Sequence, residues 1–254
     1  MIATTLFGAL VVVALGGLPP GHALPPTPTP EQLCPSDEVP IDWLTACQQG
    51  DLFFHHGSLN QSEVHMPAVG NGYVSTFVHS DVIYAGGLFN GDSMGTTGPT
   101  SHRAGIPAFH VSVNATATGS QVPPVVIASG LDVRQAVFLQ RSVWLLTAGT
   151  GMGLSVQIDD KWYAAADRPN VLVHEMTLTR LDSVDCNVTI SLQSVSAPQT
   201  PDLNMSAAAG SPVGSRAWTG TNLHGELGNL TTLAVVCTDA PAAVVLKAGD
   251  QIST

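Results

Sequence analysis

The chain has 254 residues, 44% of them hydrophobic and 11% charged, with nineteen Asp and Glu against eight Lys and Arg. So apolar a chain with so few charges excludes wholesale disorder. The shortage of bases, with no basic stripe anywhere, excludes a nucleic-acid partner, because phosphate recognition draws on Lys and Arg.

Residues 1–23 read as a secretory signal peptide. The apolar run at 6–18 is shorter than the roughly 20 residues a membrane span needs, and Gly21-His22-Ala23 sets small residues at the −3 and −1 positions of a cleavage site. The n-region has no Lys or Arg. An uncleaved anchor is the competing reading, opposed by Pro19-Pro20, which ends any helix there. No other stretch is long and apolar enough to span, so no membrane contact is expected after cleavage. The expected location is extracellular or the lysosomal lumen.

Residues 24–30, LPPTPTP, form a Pro-rich spacer of polyproline type. Residues 31–51 form a lead-in with one short helix: Ser36 or Asp37 as cap, Pro40 in the first turn, Trp43, Leu44 and Cys47 inward, and Gly50 as the stop. Beyond Gly50 the period shifts to two. Leu131, Val133, Gln135, Val137 and Leu139 share one face, as do Leu154, Val156 and Ile158, and then Val188, Ile190 and Leu192. Leu172, Met176 and Leu178 repeat the pattern with His174 interrupting. Runs at 73–78, 82–85, 106–113, 122–128, 143–147, 233–238 and 242–247 add strands separated by Gly, Pro and Asn. Ten to twelve short strands predict an all-β antiparallel sandwich over residues 52–254.

The densest turns lie at 65–113, where Gly70-Asn71-Gly72, Gly86-Gly87 and Asn90-Gly91-Asp92 offer positive φ cheaply between short strands. Together with Val69 to Tyr73, Gly86, Phe89-Asn90-Gly91, Ser101-His102-Arg103 and Ile106-Pro107, this stretch resembles the start of the N-terminal domain of glycoside hydrolase family 65. Within that family it looks most like the acid-trehalase-like branch, which includes the protein-glucosylgalactosylhydroxylysine glucosidases. Weaker similarity runs through Trp162-Tyr163, residues 169–181 and residues 196–203. The resemblance implies a β-super-sandwich, then a helical linker and an (α/α)6 barrel that holds the catalytic carboxylates. The chain is accordingly expected to stop before its last strand and to lack the barrel. A carbohydrate is the implied substrate of the full-length parent, with no cofactor.

Four cysteines in a chain on the secretory route allow three disulfide pairings. Cys34 with Cys47 closes a local loop, and Cys186 with Cys237 would join two strands. Sequons at Asn60, Asn114, Asn187, Asn204 and Asn229 fit a glycoprotein, with Asn187 crowded by Cys186.

Candidate chemistry is thin. Gly91-Asp92-Ser93-Met94-Gly95 matches G-x-S-x-G, but Thr96-Thr97-Gly98-Pro99 cannot start the helix a nucleophile elbow requires. Gly149 to Gly153 lacks phosphate-loop spacing and reads as a hairpin turn. His55, His56, His65, His79, His102 and His110 offer no metal-ligand spacing, and no metal is expected. Glycoside hydrolysis needs two carboxylates flanking the bond, about 6.5–9.5 Å apart in inverting enzymes, and no catalytic residue is assigned. Asn90, Asp92, His102 and Arg103 are the candidates for substrate or barrel contact, with a buried ion pair as the competing use of Arg103. The leading expectation is an inactive N-terminal fragment of a glycosidase acting on glucosylgalactosyl-hydroxylysine or trehalose. The alternatives are a stand-alone carbohydrate-binding module, stacking sugars on Trp43, Trp144, Trp162 or Trp218, and a secreted serine hydrolase.

Overall fold

The computed structural model describes residues 34–59, 66–92, 100–114, 122–147, 153–196, 199–225 and 230–254. The signal-peptide and spacer assignments, Asn60, Asn229, Ser93 to Gly95 and residues 149–152 lie outside them.

A single helix, α1 (Ile41–Gln48), leads in. Its N-cap is Pro40, with no side-chain cap, so neither Ser36 nor Asp37 caps it. Eight residues are too few for a stable isolated helix, and two tethers hold this one. Cys34 and Cys47 are joined by a disulfide, and Trp43 and Cys47 pack on Leu52 and Ala128 of the sheet below. The Arg141 guanidinium lies 5.3 Å from the Trp43 ring centre and bridges Asp42 on the helix to Asp159 on the sheet. Gly50, at φ +78°, ends the helix in a left-handed conformation that a side chain would strain.

Sixteen strands follow among the described residues. They are β1 (Leu52–His56), β2 (Ala68–Gly70), β3 (Val74–Phe77), β4 (Val82–Asn90), β5 (His102–Pro107), β6 (Phe109–Val113), β7 (Val125–Asp132) and β8 (Val137–Thr147). The second half comprises β9 (Gly153–Ala164), β10 (Leu172–Arg180), β11 (Val188–Ser196), β12 (Leu203–Ala207), β13 (Ser215–Asn222), β14 (Thr232–Thr238), β15 (Ala243–Leu246) and β16 (Gln251–Ser253). They form sheets in the orders β1-β7-β8-β9-β10-β16, β15-β11-β6, β12-β13-β14 and β2-β3-β4-β5, with antiparallel strand pairing throughout. The all-β sandwich read from the alternation is present.

The six-stranded sheet is the floor. The even-numbered residues of β8, β9 and β10 point one way: Trp144 and Leu146, Val156 and Ile158, and Met176 and Leu178 meet Ile190 and Leu192 of β11 in the largest core cluster. The Trp144 ring is fully buried and its indole N–H donates to the Val122 carbonyl at 2.7 Å. Farther along the same face, Phe138 and Trp162 pack on Val69 and Val78. A fourth cluster joins Leu88, Ala104 and Ile106 to Leu203, so the sheet of β2–β5 also packs on that of β12–β14.

Four sequence expectations need correction. Residues 131–139 are not one strand: β7 and β8 meet at a turn over 133–136, where Asp132 Oδ1 accepts the Gln135 N–H at 2.8 Å and Ala136 sits at φ +56°. Residues 106–113 divide at Ala108, whose N–H donates to the Asp81 carbonyl. Cys186 and Cys237 are both free thiols. Cys186 lies just ahead of β11 and Cys237 lies on β14, in a different sheet with no pairing between them, so the expected bond does not form. His174, read as an interruption, continues the inward face of β10: its Nε2 meets Asp160 at 2.9 Å and its ring stacks on Trp162 at 4.4 Å.

Candidate functional site

The Asn90 and His102 motifs converge at a junction between two sheets. Asn90 ends β4 and His102 opens β5, so strand pairing sets them side by side. Both side chains reach one carboxylate that the sequence reading left unassigned, Asp202, immediately before β12. Asp202 Oδ1 accepts from Asn90 Nδ2 at 3.1 Å and from His102 Nε2 at 2.8 Å, and Oδ2 accepts from the Gly105 N–H at 2.9 Å. A Cβ at Gly105 would crowd Val82 Cγ1 at 3.1 Å, so the glycine makes room for Val82 rather than for the carboxylate. Asn90 Oδ1 accepts the His224 N–H, while Asn222 Nδ2 donates to the Phe89 and His224 carbonyls. The ends of β4, β5, β12 and β13 are thereby laced together.

The electrostatics follow from the bonds. His102 Nδ1 faces the Thr100 carbonyl at 3.0 Å while Nε2 faces Asp202, so only the doubly protonated imidazolium satisfies both. The Thr100 carbonyl first, then Asp202, raises the His102 pKa. Burial pushes the Asp202 carboxyl upward, but the Gly105 N–H, His102 and Asn90 outweigh it and hold its pKa below the usual carboxylate range. A carboxylate that stays ionised with both oxygens occupied is a poor general acid.

The other candidates separate. Asp92 is buried beside the junction and bridges to Thr100, and its carbonyl accepts the Ser101 N–H. Arg103 is exposed on β5 and makes no ion pair among the described residues, so the buried pair weighed for it is not there. Arg180 forms such a pair instead. Its side chain has no exposed surface and donates to both Asp182 oxygens and to the Cys186 and Val184 carbonyls. The hydrogen bond from Arg180 holds Asp182 far below the ordinary carboxylate range.

The first motif is structural too. Asn71 Oδ1 accepts the Tyr73 and Val74 N–H groups, and Nδ2 donates to the Ala165 and Pro169 carbonyls. Segments that resembled the family separately therefore meet in space, residues 69–73 with Pro169 through Asn71, and residues 89–91 and 101–103 with Asp202 through Asn90 and His102. No short-range signal marks Asp202 as their hub. Its partner His102 lies 100 residues away.

Of the sequons, Asn187 and Asn204 are exposed and Asn114 is half-buried. Trp43, Trp144 and Trp162 are buried and offer no open platform for a sugar, while Trp218 is half-buried, stacked on Phe109 at 4.2 Å with the Arg216 guanidinium 5.6 Å from its ring centre. Among the described residues no three His, Cys, Asp or Glu side chains come together as a metal set. A partly open cavity of about 800 Å³ lies against β3, β4, β6 and β14, with His79, His110 and His174 at its wall. Burial, then His174, lowers the His110 pKa.

Two curated relatives match by sequence. The protein-glucosylgalactosylhydroxylysine glucosidase of Dictyostelium discoideum is 25% identical over 223 residues, covering 84% of this chain and 29% of that protein. The protein-glucosylgalactosylhydroxylysine glucosidase of Mus musculus is 30% identical over 138 residues, covering 54% and 18%. The chain thus spans less than a third of either relative. The solved structure of a putative kojibiose phosphorylase from the human microbiome superposes with a TM-score of 0.45 and 11% identity, over 80% of this chain and 31% of that one. No protein-family model matches. The chain is thus similar in sequence to part of two protein-glucosylgalactosylhydroxylysine glucosidases.

Proposed function

We propose that this chain is the non-catalytic sandwich of a secreted or lysosomal glycoside hydrolase that releases glucose from an α-glucoside of glucosylgalactosyl-hydroxylysine or trehalose type. The substrate class rests on the similarity to the Dictyostelium and mouse glucosidases. The secretory route rests on the leader-like residues 1–23, the exposed sequons at Asn187 and Asn204, and the Cys34–Cys47 disulfide.

One observation carries the non-catalytic role. The acid at the centre of the family-like motifs, Asp202, has both oxygens engaged by protein donors. A glycosidase acid must instead present a protonated carboxyl to the leaving oxygen, with a second carboxylate across the bond. Asp160 and Asp182 are likewise engaged, by His174 and Arg180. The sandwich would then support acid and base groups carried elsewhere in a longer parent.

The test is glucose release from glucosylgalactosyl-hydroxylysine, trehalose and kojibiose by the purified chain, alongside Asp92→Asn and Asp202→Asn variants. The expected result is release at background in all three. Release that disappears in either variant would put the chemistry inside the sandwich and end this reading. Release by the longest protein translated from the native transcript, on the hydroxylysine glycoside alone, would fix the substrate class.

A further inference from the structure

The strand β14 is the edge of its sheet among the described residues, pairing only with β13. The Asn222 N–H donates to the Thr231 carbonyl and the Asp239 N–H to the Gly214 carbonyl, so the odd-numbered residues of β14 turn their backbone groups toward β13. Thr232, Ala234, Val236 and Thr238 direct theirs away, and no backbone hydrogen bond from another described strand reaches them. The sequence Thr232–Thr238, TLAVVCT, carries no charge and no proline. Natural edges are usually blunted by one or the other. Val236 is 61% exposed.

This edge also forms a wall of the 800 Å³ cavity, which every residue from Thr231 to Thr238 touches. Leu233, Val235 and Cys237 are half-buried on one face of β14, with Val74, Ile83 and Ile106 among the apolar residues lining the same space. Although the chain holds nineteen acids, no described residue of the lining is Asp or Glu. Its one permanent charge, Arg216, is bonded to Asp239 at 2.6 Å.

We propose that the β14 edge and the cavity beside it bind an extended, uncharged peptide segment of another chain, which adds as a strand to β14. The unpartnered backbone groups select an extended strand, because only a second backbone matches their spacing. The apolar space beside them takes the side chains on one face of that strand. The lack of a carboxylate or an uncompensated cation in the wall selects a segment without charge, since a charge entering it would lose water and gain no partner. A second copy of this chain fits less well, because each copy brings a net charge of −11.

The probe is an end-blocked, fluorescein-labelled heptapeptide of alternating Thr and Val, titrated against the full chain by anisotropy. The controls are the same peptide with alternate backbone amides N-methylated and one with its central Val replaced by Asp. In the protein, Val236→Pro removes an outward N–H while leaving the β13 ladder intact, and Val236→Lys places a charge at the edge. The expected result is saturable binding that weakens at least about tenfold for the N-methylated peptide and for Val236→Pro, and also falls for the Asp peptide. If Val236→Pro fails to melt cooperatively, Val236→Lys and the N-methylated peptide decide. No saturable binding by the wild-type chain overturns the proposal, as does equal binding by a folded Val236→Pro. Sedimentation showing a wild-type dimer that Val236→Pro abolishes would assign the edge to a second copy and overturn it as well.

Discussion

At Arg180 a covered guanidinium donates to Asp182 and to the Cys186 and Val184 carbonyls. At Asp202 a carboxylate collects donors from Asn90, Gly105 and a half-exposed His102. Both junctions close gaps between the ends of strands, and both pair a charge with main-chain polar groups. They differ in the cation. An arginine is charged at every working pH, so the first junction is indifferent to mild acid. A histidine loses its charge near neutrality, so the second is tuned by pH. The permanent charge sits where the solvent is shut out, and the switchable one where water still reaches it.

Substitutions can break this contrast, and the largest effect belongs to the covered site. Arg180→Met leaves the Asp182 carboxylate without its cation, and a loss of about 3 kcal/mol is expected from the urea midpoint. A loss below about 1 kcal/mol would mean that water replaces the guanidinium there, as at an exposed pair. Asp202→Ala leaves the Asn90 and Gly105 donors without their acceptor and should cost about 2 kcal/mol. Asn71→Ala, which unties the turn of residues 70–73 from the Ala165 and Pro169 carbonyls, should cost about 1 kcal/mol in the same assay. Protease nicking near residues 165–170 should rise with it.

The smallest effect sharpens the comparison most. Because the His102 pKa is raised, its contribution is full below the unfolded value of about 6.5 and is lost as pH rises through the folded value. Because the Asp202 pKa is depressed, its contribution is full above about 3.9 and is lost as pH falls through the folded value. The pair is therefore strongest in mild acid. Wild type should exceed His102→Gln by less than about 1 kcal/mol there, since the imidazole is 47% exposed. The gap should close above neutrality. An Arg180→Met deficit measured across the same range should stay flat. A flat His102→Gln deficit instead would show that the histidine acts only as a neutral donor.

Strand identity was legible where alternation is unbroken, as at Leu154, Val156 and Ile158 or at Val188, Ile190 and Leu192, because period two follows directly from the pleat. The turn between β7 and β8 was not. Leu131, Val133, Gln135, Val137 and Leu139 keep their alternation through it, and it is set by the Asp132 side chain and a left-handed Ala136 without a glycine or proline. The motif residues Asn71, Asn90 and His102 were legible as special, but not as clamps, because their partners Pro169 and Asp202 stand about a hundred residues away. Arg103 and Arg180 look alike as lone basic residues in strands. Only the tertiary fold decides which is covered, and it is Arg180.

The order of strands in the floor sheet also sets a timetable. β7, β8, β9 and β10 pair each with its neighbour in sequence, so that meander closes only short loops. β16 reaches β10 across the 76 residues that separate Thr177 from Ser253. Loop closure grows slowly costlier with length, and folding rates fall as contacts become more distant in sequence. The meander is therefore expected to form before β16, which docks onto a surface already made. Amide hydrogens of β8 and β9 should exchange last, and those of Gln251–Ser253 should exchange while the meander is still closed.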